Sequence, residues 1–338
     1  MITIKQIITR IEQHQPVTNK SEINVEQLSQ ELDGVGSLTT ANPQQLSFLS
    51  GARYASSLVS TQAGVVLITA DYRDQAPDSA VALVVASPYL AYASASQLFG
   101  HQSLSHNIHP SAVIADSAII DEQVSIGPFC MIGEHVKIGK HSSLSAHVIV
   151  EDNATVGTDC VIKANVVIGH DCIIGSHVRL HAGASVGSEG FGFAPTSDPS
   201  TTGWERIAQL GRVVVGDHVR IGSQTCIDRG AINDTVIGNH VIIDNLVQVA
   251  HNVRIGDGTA IAAQTAIAGS TSIGKRCIIG GAVGITGHIE ITDDVTLSGM
   301  TMVTKSIKAA GSYSSGTAAM PTANWRRAAV RFRQLGRD

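Results

Sequence analysis

The sequence predicts a mainly β chain: a parallel β-helix of hexapeptide repeats, with a small α/β domain before it and a short helix after it. Three observations carry this. Aliphatic residues recur every six positions over most of the chain. Hydrophobic residues make up 43% of the 338 residues but aromatics only 4%, so the core must be aliphatic. The 33 glycines suit many short strands and turns better than a helical bundle.

Residues 1–104 lack the six-residue pattern. There "TIKQIITRIEQ" and "VEQLSQEL" read as amphipathic helices, "AGVVLITA" and "VALVVAS" as buried strands, and "PYLAYASASQLF" as a helix after them. This predicts a small α/β domain.

The repeat occupies 105–308. It steps from Ile108 and Ile114 through Ile162, Ile168, Ile174 and Leu180 to Val186. An insert at 187–212 breaks it. It resumes at Val215, Ile221 and Ile227, slips by four residues through "RGAINDT", and restarts at Ile237. From there it runs through Val249, Ile255, Ile267 and Ile285 to Val303. Three repeats make one triangular coil of 18 residues. Coils stack at the strand spacing of about 4.8 Å. The aliphatic residue points inward, and the glycine that often follows it permits the tight corner. In 309–338, "GSYSSGT" reads as a loop. "PTANWRRAAVRFRQLG" reads as a short basic helix with Pro at its N-terminus.

The formal net charge of −5 argues against general nucleic-acid binding. No apolar run is long enough to span a bilayer, and the N-terminus lacks a signal-peptide pattern, so a cytoplasmic protein without a transmembrane segment is expected. From Lys305 onward, seven cations face Asp338 alone, leaving this segment at +6 and the rest at −11. A basic tail on an acidic protein suggests an acidic partner. The cysteines show no paired framework. Cys130, Cys160, Cys172 and Cys277 each lie four residues after an aliphatic, in a small inward slot. Cys226 sits one position later, with no role assigned to it.

Most coil histidines, including His135, His141, His147, His177, His218 and His240, fall three residues after the aliphatic and read as exposed turn positions. His251 falls two after Val249. One coil further stands Gly269, and two coils further Gly287 beside His288. These form one column, with His251 and His288 on the order of 10 Å apart. A neutral histidine can accept a proton from a nucleophile. A bare amide at Gly269 can donate to a developing oxyanion. Together they suit acyl transfer; the alternative is two exposed turn histidines. A zinc site needs at least three converging ligands near 2.0–2.1 Å. The column holds two histidines, and His170, His177 and His181 differ in phase, so no metal is expected. The insert and the slip argue against a purely structural or binding rod, which gains nothing from interrupting its own ladder.

"GFGFAP", "W..IAQLG", "IDRGAINDT", "DNLVQVAHNV", "IAG", "GITGH" and "SGMTMV", with "LSFLSGARYASSL" and "SPYLAYA" nearer the N-terminus, carry a family resemblance. Over essentially the whole chain the sequence resembles the UDP-3-O-(3-hydroxyacyl)glucosamine N-acyltransferases of lipid A biosynthesis. The resemblance implies a left-handed coil, a homotrimer, and transfer of a 3-hydroxyacyl group from acyl carrier protein to the 2-amino group of the UDP-acylglucosamine, without cofactor. It implies His251 as general base, His288 as a second histidine assisting substrate binding, and Gly269 as the oxyanion amide. It makes 1–104 a uridine-nucleotide-binding domain in which Phe48 and Tyr54 hold the uracil; two rings can sandwich a base. Asp244, Asn245 and Gln248 are implied to touch substrate or orient His251. The resemblance also implies Met302, with Met300 as a weaker candidate, at the floor of an acyl groove. With an acidic carrier as donor, Arg326, Arg327, Arg331 and Arg333 can steer it. The nearest rival is the UDP-N-acetylglucosamine O-acyltransferase family, whose coil begins near the N-terminus and precedes a larger helical domain. A zinc lyase resembling carbonic anhydrase is a more distant one.

Overall fold

The computed structural model describes residues 1–100, 107–197 and 203–335. The expected junction at 104/105 and part of the insert, 198–202, lie outside them. The chain forms two compact units, Met1–Leu104 and Ser105–Asp338.

In the first unit a parallel sheet runs in the order Gly34–Val35, Gln45–Phe48, Val65–Ile68, Val81–Val84. The helix Ile4–Ile11 buries Ile4, Ile7, Ile8 and Ile11, the spacing of one helical face. Thr3 and Gln6 close a reciprocal cap at its start. The helix Pro88–Ser96 begins with Pro, and Ser87 Oγ accepts from the Leu90 N–H. Both pack on Leu46, Val65 and Leu67 of the sheet. The expected helix "VEQLSQEL" is cut short. It spans Val25–Ser29, and Glu31–Leu32 instead pairs antiparallel with Ile2–Thr3. Leu32 is thereby fully buried, a tertiary gain that overrides local helix propensity.

The second unit is a parallel β-helix whose three faces have ten, nine and ten strands among the described residues. Met131 pairs with Ile149 and Ile132 with Val150, an offset of one 18-residue coil. The repeating aliphatics form one continuous buried core, each worth about 1.5–3 kcal/mol on leaving water. His177, His218 and His240 stack along one edge with ring centroids 4.6 and 4.7 Å apart, a direct measure of the coil spacing. The residue three after the aliphatic adopts the left-handed conformation at corner after corner: His135 (φ 57°), Asn153 (φ 60°), Asp159 (φ 56°), His240 (φ 57°). His, Asn and Asp tolerate this region best among side-chain-bearing residues, which explains the turn histidines. The glycine next to the aliphatic has a different purpose from the one expected. At Gly157 an added Cβ would lie 2.6 Å from the Gly175 carbonyl, so the next coil's backbone demands the bare position.

The small inward slot also has a bonding rule. Ser142, Thr259, Thr265 and Thr271 each donate to a carbonyl 15 residues ahead, at 2.8–3.0 Å. Cys130 and Cys160 make the same bond through sulfur, at 2.9 and 3.1 Å. These buried thiols replace hydroxyls in the stacking pattern.

The ladder closes over both interruptions. Ile174 pairs directly with Val215 across the insert, and Val215 with Ile237 across the slip. The insert carries its own hairpin, Phe193–Pro195 against Trp204–Arg206. The ladder also outlasts the expected end at 308. Gly311–Tyr313 adds a strand beside Val295–Leu297, so "GSYSSGT" begins as strand rather than loop. The gain is burial, because Tyr313 packs against the end of the coil core. The basic helix spans Thr322–Gln334, with none of its residues buried.

Candidate active site

The strand Gln248–Val249 points Val249 into the core, and the chain turns two residues later, presenting His251 at a corner. The His251 ring lies against Gly269 of the next coil. A Cβ added there would sit 2.7 Å from both Cε1 and Nε2 of the imidazole. At its Cβ–Cδ2 end the side chain meets Gly190 of the insert, where an added Cβ would lie 2.9 Å from His251 Cβ and 3.2 Å from Cδ2. Two bare glycine positions therefore border the side chain, one at each end. Buried Gln209 packs beside Gly190 and Gly192, and its Nε2 donates to Ile207 O at 3.0 Å.

The tautomer of His251 follows from its neighbour. Asn252 Oδ1 accepts the Ala231 N–H at 3.0 Å, and Asn252 Nδ2 donates to Asn233 O at 2.7 Å. The amide orientation is thus fixed, and Oδ1 must be the acceptor toward His251 Nδ1 at 3.1 Å. Nδ1 carries the proton, which leaves the Nε2 lone pair free beside Gly269. Thr235 Oγ1 accepts the Asn252 N–H at 2.8 Å. All three anchors of Asn252 come from the four-residue slip.

Gly269 O accepts from the His288 N–H at 3.0 Å. Among the described residues the Gly269 N–H makes no hydrogen bond. His288 is exposed and occupies a left-handed corner (φ 60°). Asp244 and Asn245 stand at the opposite edge of the same face. Asp244 Oδ1 accepts from Asn245 N and Nδ2 at 2.8 and 2.9 Å, while Asn245 Oδ1 accepts the Ser223 N–H at 2.7 Å. Across that face Gln248 pairs with Ala266, Ala266 with Gly284 and Gly284 with Met302. Small residues between Gln248 and Met302 leave a shallow strip, and Met302 is 71% exposed at its far end. Met300 is an exposed corner residue.

Gln248 is committed to a carboxylate: its Nε2 donates to Asp228 Oδ2 at 2.8 Å. Asp228 is 7% exposed. Burial pushes its carboxyl up, opposed by hydrogen bonds from Cys226 and Gln248 and by the nearby His251. Arg229 is directly below His251 in the column, yet its guanidinium turns away to the His170 ring and carbonyl, leaving Nε unpartnered.

The remaining expected residues lie elsewhere. His170, His177 and His181 diverge: the first pairs with Asp171 and Arg229, the second stacks on His218, and the third lies among Arg179, Arg220 and Lys163. In the first unit, Phe48 stacks on Tyr92 at 4.2 Å, and the Arg53 guanidinium lies 4.6 Å over the Tyr54 ring. Arg326, Arg327, Arg331 and Arg333 are exposed on the last helix. Sequence reasoning missed Asp228, Arg229, Asn252 and Gly190. Counting one coil back from His251 with the slip included reaches Arg229, so that signal was present; the path of the insert to Gly190 left none.

Residues 153–188 and 234–269 match the bacterial transferase hexapeptide family, so the coil is that of a hexapeptide-repeat transferase. Residues 29–98 match the family model for UDP-3-O-(3-hydroxymyristoyl) glucosamine N-acyltransferase. A UDP-3-O-acylglucosamine N-acyltransferase of Psychrobacter arcticus is 77% identical over the full length of both chains. One of Pseudomonas aeruginosa is 47% identical over 90% of this chain and 85% of its own. Among solved structures, an Arabidopsis UDP-N-acetylglucosamine acyltransferase is similar at a TM-score of 0.52 and 26% identity, covering 61% of this chain and 72% of that one. The chain belongs to the UDP-3-O-acylglucosamine N-acyltransferase family and is an N-acyltransferase. Among the described residues, no helix is long and apolar enough to cross a membrane.

Proposed function

We propose that this chain transfers a 3-hydroxyacyl group from acyl carrier protein to the 2-amino group of UDP-3-O-(3-hydroxyacyl)glucosamine, in lipid A biosynthesis, as a cytoplasmic homotrimer. One observation supports this above the others: an imidazole with free Nε2 lies against an amide whose N–H is unused. The glucosamine amine attacks the thioester carbonyl, and His251 Nε2 takes its proton. The Gly269 N–H holds the oxyanion of the tetrahedral intermediate. The C–S bond then breaks, the carrier thiolate takes the proton from the imidazolium, and the amide product remains. A positioned base supplies about 10²–10⁴-fold and an oxyanion donor about 10²–10³-fold.

His288, Asp244 and Asn245 line the two edges of the face that receives the sugar. The strip ending at Met302 takes the acyl chain, and Phe48 and Tyr54 hold the uracil. Arg326, Arg327, Arg331 and Arg333 attract the acidic carrier. The reaction uses no cofactor. The match of residues 29–98 to the N-acyltransferase family favours this reading over the O-acyltransferase whose coil it shares.

The test offers purified protein a 3-hydroxyacyl carrier with either UDP-3-O-acylglucosamine or UDP-N-acetylglucosamine and reads products by mass. His251→Ala should lower N-acylation at least about a hundredfold with folding retained. Near-normal turnover in that variant, or acylation of UDP-N-acetylglucosamine in preference, refutes the reading.

A further inference from the structure

The face that carries His251 holds a buried carboxylate for which the reaction above has no use. Asp228 ends the strand Cys226–Asp228, one coil below Ala250, the residue before His251. Its two oxygens are both engaged: Gln248 Nε2 donates to Oδ2 at 2.8 Å, and Cys226 Sγ to Oδ1 at 3.4 Å. No cation is paired with it among the described residues. Arg229, the adjacent residue and its obvious neutraliser, is turned away to His170, which is itself paired with Asp171. A buried carboxylate without a cation is costly unless another charge needs it. His251 is the nearest ionisable group along the ladder, since the register sets Asp228 beneath Ala250, the residue before His251.

We propose that Asp228, tethered by Gln248, is a positioning residue: it stabilises the positive charge that His251 acquires when it takes the substrate proton. This rests on the reading of His251 as the base. Gln248 then serves catalysis by holding Asp228 rather than by touching the sugar. Arg229, drawn away by His170, is kept from cancelling the effect. Titratable groups on the neighbouring segments are Glu189, next to Gly190 and paired with Arg206, Asp234 and Arg254, which line the same corner as Asn252, and His288, whose N–H donates to Gly269 O. The asymmetry is useful, because an anion close to the base helps only while the imidazole is charged, which is during transfer.

The test measures kcat, KM for the UDP-sugar and the pH dependence of kcat/KM for the parent, Asp228→Asn, Gln248→Ala and His251→Ala, each with its Tm. Asp228→Asn keeps the shape and removes the charge. It should lower kcat by about tenfold or more, leave KM within about twofold, and move the acid limb of the profile to lower pH. Gln248→Ala alters an exposed side chain and should shift the limb the same way by less. A raised KM with a fixed limb overturns the proposal and makes these residues substrate contacts; so does an unchanged profile in both variants. If Asp228→Asn fails to fold, Gln248→Ala decides alone. An inactive His251→Ala with unmoved limbs sinks only this inference, whereas an active His251→Ala sinks the base assignment itself.

Discussion

Gly269→Ala tests the centre of the site with a single methyl group. An added Cβ would approach His251 Cε1 and Nε2 to 2.7 Å and Nδ1 to 3.2 Å. Ordinary contact begins near 3.4 Å, so the ring must retreat by about 0.7 Å. Its retreat is restricted, because Gly190 already lies against the Cβ–Cδ2 end of the same side chain. A displacement of that size taken along the Nδ1–Asn252 bond would stretch it from 3.1 Å to at most roughly 3.8 Å, beyond hydrogen-bond reach. The variant thus displaces the base and releases its tautomer together. Misplacement near 1 Å can cost about 10²-fold in rate, so kcat should fall by about a hundredfold. The coil core is untouched, so thermal unfolding should change little. Initial rates at saturating substrates, with Tm measured alongside, check both. A kcat within about threefold of the parent would show that the ring does not need its place against Gly269, and the geometric argument would fail.

Other outcomes can be stated more briefly. Reversing the charge of Arg326, Arg327, Arg331 and Arg333 should raise KM for the acyl carrier at low salt and leave KM for the UDP-sugar alone; an unchanged carrier KM counts against steering. Burial first, then the Asp228 charge, pushes the Cys226 thiol up to about 11. At pH 8 it is almost wholly protonated, so alkylation of the native protein at Cys226, followed by mass, should be slower than for a free cysteine by about two orders of magnitude. Thr265→Val removes the hydroxyl that donates to Gly280 O at 3.0 Å, and should destabilise by about 1 kcal/mol, read as a lower Tm with near-normal activity.

The coil is legible in the residues alone, because its period is a stacking rule. An aliphatic at every sixth position has one way to be buried, and an 18-residue coil then sets which residues share a column. That rule placed His251 against Gly269 and the thiols of Cys130 and Cys160 in the core, as they stand. It could not foresee what breaks the period. The insert brings Gly190 against the base, and the slip supplies Ala231, Asn233 and Thr235 to fix Asn252. Gln248 turns to Asp228, and Arg229 to His170, through side-chain choices the backbone repeat leaves open. Leu32 leaves an expected helix for a strand because burial outweighs propensity. Periodic burial acts locally and is written in the spacing; the pairing of polar groups distant in sequence depends on where irregular segments travel, and that is settled only when the chain has folded.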